Sequence, residues 1–155
     1  MSGKDELVIF LQQLHKVISK VGMQKVLSRI TDITLDDKNV FEREICESII
    51  TICANYYLVE KDDILISKKR GNVSEARKMC FALMKSNLKI SDSNIGDYVG
   101  GRSKQYVHNE LKTIVLDKEK LKTKNESQFY EDFLKLQDEL LVVRNSYQKK
   151  QVNEI

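Results

Sequence analysis

The chain contains no proline and only six glycines among its 155 residues. Proline removes an interior helical hydrogen bond and glycine costs backbone entropy, so few positions here forbid helix. No apolar run approaches the ~20 residues needed to span a bilayer. The start, MSGKDELVIF, lacks the basic n-region and sustained apolar core of a secretory signal, so a cytoplasmic location is expected. Cysteine is scarce: Cys46, Cys53 and Cys80 are widely spaced, odd in number and form no C-x-x-C pair. With only His15 and His108 to assist them, a zinc site is not expected. Each cysteine lies in an apolar helical context, where a buried free thiol in a reducing compartment is the ordinary outcome. There is no G-x-x-x-x-G-K-[ST] loop to cradle nucleotide phosphates. The carboxylate pairs Asp36/Asp37 and Asp62/Asp63 sit in polar segments with no partner histidine. No catalytic residue, metal or cofactor is therefore expected.

What the chain does have is amphipathic helical pattern, and the expected fold class is an all-α helical bundle with extra N- and C-terminal helices. Leu7, Phe10, Leu11, Leu14, Val17, Ile18 and Val21 form a helical stripe. Gly22 is placed to break that helix, with Met23, Val26, Leu27 and Ile30 continuing the apolar face. The polar, acidic stretch Thr31–Val40 reads as a linker or loop. From Phe41 a long helix is predicted to run to Tyr57, with Ile45, Ile49, Ile52, Cys53 and Tyr56 inward. A last helix from Glu126 to about Tyr147 carries Phe129, Phe133, Leu136, Leu140 and Val143. The resulting division is a helical extension over 1–40, a central domain over 41–118 and a C-terminal helix over 119–155. The terminal stripes have two readings: they pack on the central domain, or they pair with a second copy, making a homodimer.

Charge is unevenly placed. The net value is +3, but residues 61–120 hold 13 Lys/Arg against 8 Asp/Glu, while residues 1–60 hold 7 against 9. A basic middle suits phosphate contacts and counterion release, although a solvated lysine-rich surface has the same composition. Within it, Ser91–Ile114 (SDSNIGDYVGGRSKQYVHNELKTI) reads as a short helix, a Gly100–Gly101 turn and a second helix. Ile95 and Val99 face inward on the first helix, and Val107, Leu111 and Ile114 on the second. Two small amphipathic helices about a tight glycine turn make the helix-turn-helix pattern, whose second helix can enter a DNA major groove. That helix opens with Arg102, Ser103, Lys104, Gln105 and Tyr106, all able to donate or accept a hydrogen bond and none needed for a core.

Three patches in order carry a family resemblance: IITICANYYLVEKDDIL (49–65), SKKRGNVSEARKMCFALMK (67–85) and IGDYVGGRSKQYVHNELKTI (95–114). Together they resemble the C-terminal DNA-binding domain of the bacterial DnaA replication initiators, a Trp-repressor-like helix-turn-helix. The third patch holds the family's Ile-Gly, two residues, a hydrophobic position, then Gly-Gly-Arg. The resemblance covers roughly 65 residues, and the phosphate-loop ATPase module of those initiators has no counterpart in it.

The resemblance implies contact residues. Lys68, Lys69 and Arg70 form the basic loop, with Lys69 aligned to the family's minor-groove side chain and Arg70 one residue beyond. Arg77 and Lys78 take the place of the family's Arg-Gln pair, and Lys85 that of a phosphate-contacting lysine. The pattern VSEARKMCFALMK puts Val73, Ala76, Cys80, Leu83 and Met84 on one face, so Arg77, Lys78 and Lys85 are expected to be exposed. Arg102 belongs to the Gly-Gly-Arg element. Ser103, Lys104 and Gln105 stand where the family has Asp-His-Thr, its main major-groove readers. Lys104 can donate to guanine and Gln105 can pair with adenine, whereas Ser103 also suits the N-cap of the helix. Tyr106 replaces a threonine and could reach a phosphate or a thymine methyl. Asn109 and Lys112 are backbone contacts farther along. The altered triplet implies that fold and docking persist while the preferred sequence changes.

Two functions follow. One is a sequence-specific protein for double-stranded DNA that regulates or assists replication or transcription. The other is a helical protein–protein adaptor that has lost specific DNA binding.

Overall fold

In a computed structural model, the chain is described over residues 3–66, 68 and 70–153, with side chains over 5–20, 22, 39–66, 68 and 70–150. It is helical throughout: α1 (Gly3–Val21), α2 (Met23–Tyr57), α3 (Lys61–Ile66), α4 (Asn72–Leu88), α5 (Asp92–Tyr98), α6 (Lys104–Lys112), a 3-10 turn (Lys118–Lys120) and α7 (Lys124–Asn153). No strand occurs among the described residues. Among the described residues, no helix is long and apolar enough to cross a membrane. Two compact units are distinct, residues 1–41 and residues 42–155.

In the first unit, Gly22 separates α1 from α2 at φ +84°, a left-handed conformation that costs glycine little. The loop expected over Thr31–Val40 does not exist, because α2 runs through it. Its Asp and Thr residues lower helix propensity only modestly, and no glycine or proline lies between Gly22 and Tyr57 to interrupt the helix. The stripe on α1 is not buried: Leu7, Val8, Ile9, Phe10, Leu11 and Val17 are all exposed, Phe10 at 58%. The expected continuation through Val21, Met23, Val26, Leu27 and Ile30 lies outside the described side chains.

The second unit is built around α4, against which α3, α5, α6 and α7 pack. Val73, Ala76, Cys80, Leu83 and Met84 are buried as the pattern predicts, but so are Met79, Phe81 and Ala82 on other sides of the helix. From α2, Ile45, Cys46, Ile49, Ile50, Cys53 and Ala54 complete this core, each large aliphatic side chain contributing about 1.5–3 kcal/mol relative to exposure. The α7 stripe resolves in favour of packing: Phe129, Phe133, Leu136 and Leu140 are buried.

Polar groups fix the register of these helices. Asn87 on α4 and Gln137 on α7 exchange amide hydrogen bonds of 2.9 and 2.8 Å. Tyr56 Oη on α2 donates to Asp132 Oδ1 on α7 at 2.6 Å, and that bond pushes the phenol pKa up to about 12. Tyr98 Oη on α5 donates to Glu42 Oε2 on α2 at 2.6 Å; burial, then this bond, raises it likewise to about 12. All three cysteines are buried free thiols, and burial pushes Cys46 up to about 12. All three are packing groups, and the Cys46 thiol carries little thiolate at neutral pH.

Candidate nucleic-acid interface

The helix-turn-helix forms between α5 and α6, and its small residues cap the helices, take left-handed φ or make room for neighbouring backbone. Ser91 Oγ accepts from Asn94 N to cap α5, and Ser103 Oγ accepts from Tyr106 N to cap α6, so both helices begin on a satisfied amide. Between them Val99 N donates to Ile95 O and Gly96 O, and Arg102 N donates to Gly96 O at 2.9 Å. A Cβ on Gly96 would strike the Arg102 carbonyl. Gly100 and Gly101 have φ of +77° and +72°, and a Cβ on Gly100 would strike the Leu65 carbonyl at the end of α3. Ile95, Val99 and Val107 are fully buried beneath the turn.

Two arginines converge on that same end of α3. Arg77 Nε donates to Ile64 O at 2.9 Å and Arg77 Nη2 to Asp63 O at 3.1 Å. Arg102 Nη2 donates to Leu65 O at 3.1 Å and lies near Ile64 O at 3.4 Å. The last carbonyls of a helix have no intrahelical donor, and cationic groups satisfy them well. Burial, then the neighbouring Arg77 charge, lowers the Arg102 pKa below the usual guanidinium value. The expectation that Arg77 is exposed is overturned: it is only 3% exposed. Its position is off the apolar stripe of α4, but α4 is covered on nearly every side. Arg102 is half-buried, its guanidinium 5.5 Å from the centre of the Tyr106 ring. Tyr106 in turn packs edge-on against Phe81 with centroids 6.0 Å apart, so it serves the core that the sequence had it avoid.

The remaining polar residues of α6 do point outward. Lys104, Gln105, His108, Asn109 and Lys112 are exposed, and their spacing places them on one side of the helix, away from the buried Val107. Gln105 Nε2 donates to Asn109 Oδ1 at 2.9 Å, aligning two amides on the exposed surface. Ser103 is exposed, but its oxygen is engaged as the cap. In the loop before α4, Lys68 and Arg70 are exposed; Lys69 lies outside the described residues.

Lys85 and Lys78 sit elsewhere. The Lys85 ammonium pairs with Asp92 Oδ1 at 2.9 Å, while His108 Nδ1 lies 3.0 Å from Asp92 Oδ2. Lys85 first, then His108, hold the Asp92 carboxyl below its ordinary range against partial desolvation. Lys85, His108 and Lys112 line one cleft with Leu111, Ile114 and Leu116. Lys78 is half-buried in a smaller crevice beside Thr113, Ile114 and Phe129, away from the opening turn of α6. Asp92, which joins α4, α5 and α6 in this way, was not singled out in the sequence; its spacing from Lys85 spans a helix break, so helical periodicity does not connect the two. Among the described residues, no group of three or more His, Cys, Asp or Glu is placed to hold a metal.

Comparisons with known proteins agree with this geometry. Residues 46–114 match the family model of the bacterial DnaA protein helix-turn-helix. A chromosomal replication initiator protein DnaA from Synechococcus sp. (strain JA-2-3B'a(2-13)) is 29% identical over 107 residues. That alignment takes in 67% of this chain and 21% of the relative, so the chain spans about a fifth of its length. A crystal structure of a DNA replication initiation factor superposes with a TM-score of 0.58 at 22% identity, over 86% of this chain and 36% of the other, which speaks to the fold. Within this all-α chain, residues 46–114 are thus similar to the helix-turn-helix domain of the bacterial DnaA family.

Proposed function

We propose that this chain binds double-stranded DNA sequence-specifically through α6, as a regulator or accessory factor of bacterial replication or transcription, acting in the cytosol or nucleoid. The domain over 41–118 does the binding, with 1–40 and 119–155 as helical additions. The observation that carries the reading is the outward face of the second helix of the helix-turn-helix: Lys104, Gln105, Asn109 and Lys112 are exposed together on it. Lys104 can donate to guanine O6 or N7, and Gln105 has the two-point amide that matches adenine N6/N7 once it leaves Asn109. Lys68 and Arg70 supply charge from the loop before α4, in the groove or along the phosphates. Lys112 and, at the cost of its Asp92 pairing, Lys85 are backbone contacts.

Two residues take a different role within this reading. Arg77 and Arg102 act as positioning groups: they hold the end of α3, on which Gly100 and the turn rest, and thereby set the pitch of α6. Their inward turn favours the adaptor reading, since it takes Arg77 off the surface and half-buries Arg102. The six polar groups still presented by α6 and the preceding loop outweigh it. The role is one of binding, with no catalytic step.

Titration of a labelled mixed-sequence duplex at several salt concentrations tests the reading. The logarithm of affinity should fall linearly with the logarithm of salt, and Lys68→Ala/Arg70→Ala should reduce the slope by about 1 for each lost phosphate contact. Salt-insensitive or undetectable binding would remove DNA as the ligand.

A further inference from the structure

The exposed stripe of α1 has a self-complementary arrangement. Taken in heptads, Leu7 and Leu14 occupy one seam position, Phe10 and Val17 the other, and Leu11 and Ile18 lie beside them. Leu7, Phe10, Leu11 and Val17 are exposed, and Leu14 and Ile18 half-exposed. A water-exposed apolar seam on a 19-residue helix is what a partner helix covers.

The flanking residues say which partner. Glu6, Gln13 and Lys20 recur at seven-residue intervals on one edge of the seam, all exposed. In a parallel pair this edge would face the other edge of the partner, where Glu6 and Gln13 meet Leu11 and Ile18. In an antiparallel pair the same edge faces itself. Aligning Leu7 with Val17 and Phe10 with Leu14 of the second copy places Glu6 opposite Lys20, Gln13 opposite Gln13 and Lys20 opposite Glu6. One register thus satisfies every seam layer and both charge pairs, and Leu11 meets Leu11 on the far edge.

We propose that α1 is a self-association helix that pairs antiparallel with α1 of a second copy in this register. The inference goes beyond DNA binding and does not rest on it. Two heptads form a short seam, and short helices gain little from propensity alone, so the dimer is weak in free solution. Its value is in joining two helix-turn-helix domains, which raises the effective concentration of the second on DNA carrying two sites.

Sedimentation equilibrium of the full chain without DNA, across roughly 1 µM to 1 mM protein, tests it. The expected result is a rise in mass from one chain toward two. Leu14→Asp should shift the midpoint at least tenfold higher, with circular dichroism verifying that the variant stays helical. Lys20→Glu should weaken association and Glu6→Lys/Lys20→Glu should restore it; both positions are exposed, so folding is not at stake. A mixture of Glu6→Cys and Lys20→Cys chains should cross-link more readily than either alone. A single-chain mass throughout, association indifferent to Leu14→Asp and Lys20→Glu, or preferential like-with-like cross-linking would each overturn the proposal.

Discussion

Arg102 and Gly96 are fitted to one another through their backbones. The Arg102 N–H donates to the Gly96 carbonyl at 2.9 Å, and the Arg102 carbonyl occupies the space a Gly96 side chain would need. Gly96→Ala must push the turn off α5 and should cost about 1–3 kcal/mol of stability, as overpacking does. Gly100→Ala should cost at least as much, because it adds a strained positive φ to a collision with Leu65 O. Urea unfolding midpoints check both; Asp97→Ala, at an exposed neighbouring position, should leave the midpoint almost unchanged.

Arg77 is predicted to act on stability and not on phosphate. Arg77→Ala removes the donor to Asp63 O and leaves Ile64 O only the longer Arg102 contact, and should destabilise by about 1.5–3 kcal/mol, the range for a hydrogen bond to a charged group. The salt slope of DNA binding by the folded protein should not change, since no phosphate contact is lost. A slope reduced by about 1, with stability intact, would show Arg77 on the DNA.

Base contacts and backbone contacts should separate cleanly. Lys104→Ala and Gln105→Ala should cost about 1–3 kcal/mol on the preferred duplex and little on random duplex, relaxing specificity. Arg70→Ala should weaken both by similar factors. Competition binding with matched and scrambled duplexes makes the comparison, and equal losses on every duplex from all three variants would contradict this division.

The Lys85–Asp92–His108 cluster gives a pH dependence of fixed sign. The Asp92 carboxyl is held below its ordinary range by Lys85 and His108, so the charged form is favoured in the folded state. Its contribution is present above the unfolded carboxylate pKa, near 4, and is lost as pH falls through the lower folded value. Asp92→Asn should therefore be less stable than the parent at pH 6, with the difference shrinking below about pH 4. Thermal midpoints over pH 2–7 measure it. A constant difference across that range would mean that the ion pairs contribute nothing.

Much of this was legible in the chain. Absence of proline, together with 3–4 spaced apolar residues, marked the helices, and Gly22 marked a break that α1 and α2 respect. The turn was legible because Gly100 and Gly101 take positive φ, for which the sequence has a direct sign. Thr31–Val40 was misread because polar composition resembles a loop, while Asp and Thr inside a helix lower its propensity only modestly. Arg77 was misread for a different reason. Periodicity assigns an inward face, but it carries no count of the helices that cover the outward one, and four helices pack around α4. The α1 stripe showed equally well in the sequence, yet only solvent exposure distinguishes a core face from an unpartnered one. Tyr106 stood among polar neighbours, and its packing on Phe81 joins residues 25 apart in the chain, beyond the reach of local pattern.

The most direct test of the account is selection of bound duplexes from a random double-stranded library, run in parallel with the parent chain and Lys104→Ala. The account predicts an enriched motif for the parent that loses definition at a guanine-bearing position in the variant. No enrichment at moderate salt, or an identical motif from both proteins, would contradict readout of DNA through α6.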